Sequence, residues 1–272
     1  MSSRSSVSVS QVFAGVGFST GLRLIDVRID DDFETDPRLL PGSVRVRFDD
    51  LDGLTRAAAG REAVVICQRG LKLSEGSAAL IRLAGGRARV MDGGFEAWRA
   101  AGLPMVPVTR LPGCGPHEAM LWVTRERPKI DRVACPWLIR RFVDPDARFL
   151  FVAADQTMAV AEKFGATPFD VEGAFWSHRG DHCTFDVMVQ EFGLATPALL
   201  RLAGIVRGAD TAQLDLEPQS AGLLALSLGL SRLFADDLAQ LDAGMMLYDA
   251  LYLWCRDGAG ETHNWPAAGA LP

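Results

Sequence analysis

The run Ala63-Val64-Val65-Ile66 ends on Cys67 and is followed, a few residues later, by a stretch that forms a helix. Four consecutive apolar residues bounded by polar ones read as a strand covered on both faces, which is the environment of a parallel sheet. Parallel strands need crossovers, usually helical, so the surrounding sequence should alternate strand and helix. It does: residues 22–27, 43–47 and 88–91 read as strands, a Pro-Gly turn stands at 41–42, and helices are expected from Ser74 and over 94–101. Ser74 is the expected N-cap, with Gly85-Gly86 ending the helix. The first hundred residues are therefore expected to be α/β. Cys67 lies in the loop before a helix N-terminus, where unpaired N–H groups favour a thiolate and attract anions. Arg69 and Lys72 add positive charge to that loop.

The segment Cys67-Gln68-Arg69-Gly70-Leu71-Lys72-Leu73-Ser74 resembles the active-site loop of rhodanese-type sulfurtransferases. The resemblance covers about the first 107 residues. Leu22-Arg23-Leu24-Ile25-Asp26-Val27-Arg28 is similar to the family's opening strand, and Leu40-Pro41-Gly42-Ser43 to its IPGA turn. Met91-Asp92-Gly93-Gly94-Phe95-Glu96-Ala97-Trp98, with Ala101-Gly102-Leu103-Pro104 after it, is similar to its closing motif. The resemblance implies that Cys67 is the catalytic nucleophile, with Arg69 and Lys72 drawing in an anionic donor. Gln68, Gly70 and Leu71 would form the loop, and Asp26 and Arg28 would support it as a structural ion pair.

Loop length separates two chemistries. Related folds that act on phosphate or arsenate use Cys-x5-Arg, in which the arginine grips a tetrahedral oxyanion. Counting Cys67 as position one, that arginine's place is held by Leu73. A shorter loop suits the single outer sulfur of a persulfide. The expected reaction is sulfur transfer from a thiosulfate-like donor to a thiol or cyanide acceptor, with no cofactor required. The family often carries arginine or threonine at position six. Lys72 departs from this with a point charge in place of a planar fork, which bears on donor preference.

The 272 residues suit two domains, and 49% hydrophobic with 23% charged residues describes a globular chain. No apolar run is long enough for a bilayer. The N-terminus shows no apolar core of a secretory signal, and the five cysteines are odd in number and scattered, with no CxxC pair. A reducing, cytoplasmic setting without membrane association is expected. Residues 1–110 hold 15 basic and 13 acidic side chains, against 13 and 21 in residues 111–272. So acidic a second half is a poor generic nucleic-acid surface, and nucleic acid is not an expected partner.

Three prolines and two glycines between 107 and 116 mark a linker, so the chain divides into a domain at 1–107, a linker at 108–119 and a domain at 120–272. Beyond the linker, strands are expected at 120–124 and 148–152 and helices at 133–142 and 157–164. The chain then becomes helical: Leu199, Leu202 and Val206 share a face, residues 221–234 are apolar on most sides, and apolar residues recur at helical spacing from Leu238 to Tyr252. The expected architecture is a rhodanese-like parallel sheet flanked by helices, then a mixed α+β domain ending in a helical bundle.

From Leu121 to Arg256 the chain resembles the C-terminal domain of the chromate-resistance family. The match is carried by Trp122-Val123-Thr124-Arg125, by 131–142, by 175–186 and by Ile205-Val206-Arg207-Gly208-Ala209-Asp210. The family association is a phenotype, so the residues must supply the chemistry. Arg125, Arg127, Lys129, Arg132, Arg140 and Arg141 place six of this half's 13 basic residues within 17 positions. Arg125, Lys129, Arg132 and Arg140 are the expected anion ligands, for chromate or sulfate; pairing with Asp131, Asp144 or Asp146 is the competing role. Cys135, next to Pro136, is either an activated thiol at a helix start or a buried structural one.

His178, Asp181, His182, Cys183 and Asp186 crowd metal-competent donors into nine residues. Glu172, His178, Asp186 and Asp210 are the expected ligands of a divalent metal such as zinc, iron or manganese, although the spacing fits no zinc motif. The alternative function is a chromate-responsive regulator that binds an oxyanion, and a metal with it, in the second domain. His117, His263 and the run Asp30-Asp31-Asp32 are expected to carry no function.

Overall fold

The computed structural model describes residues 5–18, 22–113 and 119–261. Cys114, His117 and His263 lie outside them. The first half contains β1 (Ser6–Val7), α1 (Val9–Gly15), β2 (Arg23–Asp26), α2 (Asp30–Thr35), β3 (Arg38–Leu39), β4 (Val44–Arg45), α3 (Leu51–Ala58), β5 (Glu62–Ile66), α4 (Lys72–Leu83), β6 (Arg87–Met91), α5 (Gly94–Ala100) and β7 (Val106–Pro107). Five strands form a parallel sheet in the order β1-β6-β5-β2-β4. Side chains alternate across it as the pleat requires. Ala63 and Val65 pack with Leu54, Ala78 and Ile81 of α3 and α4, whereas Val64 and Ile66 join Phe95 and Trp98 of α5 on the opposite face. Cys67 stands at the C-terminal end of this central strand.

Asp26 and Arg28 form a buried ion pair, with Arg28 Nη2 donating to Asp26 Oδ2 at 2.7 Å and Nε to the same carboxylate. The guanidinium also donates to the carbonyls of Asp36 and Arg38 and lies 3.7 Å from the Phe95 ring centroid. One side chain thus ties the sheet to β3 and to α5.

The second half contains β8 (Leu121–Arg125), α6 (Asp131–Leu138), β9 (Arg148–Val152), α7 (Thr157–Phe164), β10 (Thr167–Pro168), α8 (Thr184–Glu191), α9 (Pro197–Asp210), α10 (Ser220–Leu233) and α11 (Asp237–Leu253). Its three strands are parallel in the order β10-β8-β9. Val123 faces α7, while Trp122 faces the helical side and meets Phe169 and Trp176 edge to face. Fully buried Trp137 stacks on Phe185 and contacts Phe142, Tyr248 and Tyr252, with its Nε1 donating to Asp249 at 2.8 Å. The two halves share one apolar cluster. At the junction Gly42 N–H donates to Phe142 O at 2.7 Å, Arg23 pairs with Asp146, and Arg110 pairs with Glu191 at 3.0 Å.

Several expected boundaries move. Helix α4 begins at Lys72, and Ser74 lies inside its first turn, where its hydroxyl donates to Leu71 O at 3.0 Å. Asp30-Asp31-Asp32 opens the short helix α2, where acidic side chains favour the N-terminal end of the dipole. Val106–Pro107, just before the expected linker, pairs antiparallel with Arg38–Leu39 in a two-stranded sheet, where both strands are edges that tolerate proline. The helix expected over 133–142 starts at Asp131 and passes into a wider π turn at Ile139–Val143. Helix α10, expected to be apolar on most sides, packs Leu223 inward together with serines. It buries Ser220, Ser227 and Ser231 while Leu226, Leu228 and Leu233 are exposed, because the hydroxyls of Ser220 and Ser227 bond Ile205 O and Ile130 N.

Candidate functional site

Two groups of reactive side chains stand at the C-terminal ends of parallel strands, where open α/β sheets bind ligands. The first is the Cys67 loop. Gly70 has φ +68° and Gly94 has φ +59°. A Cβ on Gly70 would lie 2.9 Å from Gly93 N, and one on Gly94 would run into Cys67 O and Gly70 N. The paired glycines of the 91–98 motif therefore let α5 press onto the loop. Phe95 N–H and Glu96 N–H then donate to Cys67 O and Gln68 O at 2.9 and 3.0 Å. With those carbonyls turned toward α5, N–H groups on the other side converge on the sulfur.

Leu71 N–H donates to Cys67 Sγ at 3.3 Å, and Ser74 Oγ lies 3.2 Å from it. Burial raises the thiol's pKa, but the Ser74 hydroxyl and the N–H groups of Leu71, Ser74 and Arg69 outweigh it and hold Cys67 below its ordinary value. Arg69 is exposed and reaches Glu96 at 3.5 Å, Lys72 is exposed, and Gln68 Nε2 donates to Glu96 at 3.3 Å. Cys135, by contrast, is fully buried, and burial with nearby carboxylates pushes its thiol well up. It is a structural cysteine.

The second group brings His178 and Asp210 together with two residues that the sequence did not single out as ligands, Asp131 and Asp170. His178 Nε2 lies 3.4 Å from Asp131 Oδ2, 3.3 Å from Asp170 Oδ1 and 3.3 Å from Asp210 Oδ2. Asp131 opens α6, Asp170 follows β10 at φ +51°, and Asp210 ends α9. Outer partners fix the carboxylates. Thr184 and Phe185 N–H, at the start of α8, donate to Asp131 at 2.6 and 3.2 Å, and Thr184 Oγ1 donates to Asp170 at 3.1 Å. Arg125 and Arg132 lie 3.1 and 3.4 Å from Asp170 Oδ2. Asp131 and Asp170 foremost raise the His178 imidazole to about 10, against some desolvation. Burial and the charges of Asp131 and Asp170 raise Asp210 to about 7.

Other expected ligands are placed elsewhere. Glu172 is exposed on a turn outside the cluster. Asp186 is turned away by its local role: it accepts from Cys183 N–H at 3.1 Å at the start of α8 and from Arg207 at 2.8 Å. The arginine-rich stretch does not converge on one anion pocket, because strand, turn and helix send its members apart. Arg125 and Arg132 meet at Asp170, Lys129 is exposed, and Arg140 bonds Ala147 O and Asp242 and stacks on Phe149. Arg127 and Arg141 are occupied by Ser231 O and Asp249. Asp131 and Asp170 escape a reading by local density because each lies outside the 178–186 run, Asp131 among the basic residues of 125–132 and Asp170 beside the more conspicuous Glu172.

The sequence can be set beside known proteins. Residues 17–101 match the family model described as Rhodanese-like domain, and residues 122–255 match the one described as ChrB, C-terminal domain. The chain is 34% identical over 137 residues to Protein ChrB of Cupriavidus metallidurans, an alignment covering 50% of this chain and 41% of that relative. The chain thus spans about two fifths of the curated relative it matches. A Rhodanese-like Domain Protein from Staphylococcus aureus is similar at 20% identity and TM-score 0.31, covering 34% of this chain and 89% of that one. A Thiosulfate sulfurtransferase from Pseudomonas aeruginosa is similar at 25% identity and TM-score 0.34, covering 38% and 19%. The chain therefore joins a rhodanese-like domain to a ChrB C-terminal domain.

Proposed function

We propose that the protein is a sulfurtransferase that carries sulfane sulfur as a persulfide on Cys67 and serves resistance to chromate or related oxyanions. The observation that carries this reading is the seat of the Cys67 sulfur, which receives Leu71 N–H at 3.3 Å and lies 3.2 Å from the Ser74 hydroxyl. The same donors that stabilise a thiolate can stabilise the terminal sulfur of a persulfide anion. The Cys67 thiolate attacks the outer sulfur of thiosulfate, the sulfur–sulfur bond breaks, and sulfite leaves with its electron pair. An acceptor thiolate or cyanide then attacks the persulfide's outer sulfur and restores the Cys67 thiolate. No cofactor enters this cycle.

Arg69 and Lys72, both exposed at the loop, supply the attraction for an anionic donor. Leu73, in place of a phosphate-gripping arginine, argues against phosphoryl transfer. The link to oxyanion stress rests on the second half's family. No helix among the described residues is long and apolar enough to cross a membrane. The four described cysteines are free, which suits the reducing cytoplasm this reading assigns.

Thiosulfate:cyanide sulfurtransferase turnover by the purified chain, with one sulfur atom added to Cys67 in the absence of acceptor, is the expected result. Equal turnover by Cys67→Ala refutes it. A chromate-responsive regulator is the second reading, favoured by Arg125 and Arg132 meeting beside the His178 cluster. Salt-dependent, chromate-sensitive DNA binding together with no sulfur transfer would decide for it.

A further inference from the structure

We propose that Asp131, Asp170 and His178 bind a single divalent first-row transition ion through two carboxylate oxygens and one imidazole nitrogen, with the Asp210 carboxylate beside the imidazole. The site is separate from the Cys67 loop and is not needed for the sulfur-transfer cycle. The geometry is that of a ligand shell. His178 Nε2 faces three carboxylate oxygens at 3.3, 3.3 and 3.4 Å. A single N–H cannot aim at three acceptors, and a charge-assisted N–H···O bond closes to about 2.7–2.9 Å. The ligand atoms of Asp131, Asp170 and His178 all lie within 4.8 Å of one another, so one ion with bonds of about 2.0–2.2 Å can draw the three together and leave a further position open.

The surroundings of the two carboxylates are those that orient ligands. Asp131 is fully buried and held by two N–H groups of α8, and Asp170 is held by Thr184 Oγ1, Arg125 and Arg132. Such outer partners fix ligand direction around a metal. The Thr124 hydroxyl is also buried with no protein partner. Phe169 N–H bonds Val123 O, which puts Thr124 on the strand beside the segment that enters Asp170. This leaves an unsatisfied polar group next to the cluster.

His178, with its side chain 41% exposed, forms the open side through which an ion enters. The ligand set is imidazole and carboxylate. Cys183, fully buried, is not among the donors that converge at the site. Zinc, iron(II) and manganese(II) all accept such a set, and a soft ion that demands thiolate does not.

The test uses the full chain, stripped with chelator and titrated calorimetrically with zinc chloride. Wild type and Cys67→Ser should each bind one ion per chain. His178→Ala and Asp170→Asn should bind at least about 100-fold more weakly, since loss even of outer partners weakens metal sites 10–100-fold. Glu172→Gln should bind as wild type does. Cobalt(II) gives a readout independent of affinity: visible bands without a thiolate charge-transfer band are expected for wild type and lost in His178→Ala. Near-ultraviolet circular dichroism verifies that the variants are folded. Absence of saturable binding by wild type, or undiminished binding by folded His178→Ala and Asp170→Asn, overturns the proposal, as does a cobalt spectrum dominated by thiolate.

Discussion

Ser74→Ala removes one oxygen atom and should raise the Cys67 pKa by about one unit. The hydroxyl lies 3.2 Å from Cys67 Sγ and donates to Leu71 O at 3.0 Å. It has one proton to give. Beside a neutral thiol that proton stays on Leu71 O; beside a thiolate it can rotate to the sulfur. A hydrogen bond to a charged group contributes about 1.5–3 kcal/mol, and the neutral bond surrendered contributes about 0.5–1.5 kcal/mol, so the thiolate gains roughly 1–1.5 kcal/mol from Ser74. At about 1.36 kcal/mol per unit, that is about one pKa unit. Leu71 N–H still reaches the sulfur at 3.3 Å, so the shift is partial.

The assay is the rate of iodoacetamide alkylation of Cys67 against pH, with the product mapped to that residue. Wild type should titrate below the ordinary thiol value of about 8.5, and Ser74→Ala about one unit higher. Folding stability should move in step. A thiol depressed in the native state contributes stability that is fully present above about pH 8.5 and is lost as pH falls through the native value. That gain should shrink in Ser74→Ala. An alkylation midpoint that is unchanged or lower in the variant would refute the reasoning.

Gly94→Ala should destabilise the protein by about 2 kcal/mol or more and abolish sulfur transfer, because its Cβ meets the Cys67 loop backbone at φ +59°; urea unfolding and turnover test both effects. Arg28→Ala should cost about 3–5 kcal/mol in the same unfolding assay, because it leaves the Asp26 carboxylate buried without its partner. Tyr248→Phe removes the 3.0 Å bond from its hydroxyl to Ile130 O, next to Asp131, at a cost of about 1 kcal/mol. Since Ile130 holds φ +42°, that variant should also weaken zinc binding relative to wild type in calorimetry.

The Cys67 loop was legible because its chemistry is local. Strand, loop and helix start are contiguous, and the distant Gly93-Gly94 pair announces itself by composition. Its hydrogen-bond logic was less visible, since nothing in the sequence places Ser74 inside the helix with its hydroxyl beside the sulfur. The second site was half legible. His178 stood out by the donors around it, but density in sequence favoured Glu172 and Asp186, while the fold recruits Asp131, Asp170 and Asp210 from separate segments. Helix α10 shows the same limit. Its leucines imply an apolar inner face, yet Ser227 and Ser231 are buried there, where Ile130 N–H and Arg127 meet their hydroxyls. Hydrophobic periodicity ranks faces by apolar content; it does not register the backbone donors waiting on a neighbouring turn.

The apolar cluster running from Trp98 through Trp122 to Trp137 has a consequence for inheritance. Two domains joined by a tether can be shuffled, since neither depends on the other for its interior. Here Leu40 and Val106 of the first half sit in the same dry volume as Phe142 and Phe192 of the second. Cutting the chain between them would wet a surface that folding keeps from water, and the two parts would lose stability together. The sulfur-handling loop and the carboxylate–histidine cluster are thus carried by one cooperative body, and selection on either acts on both.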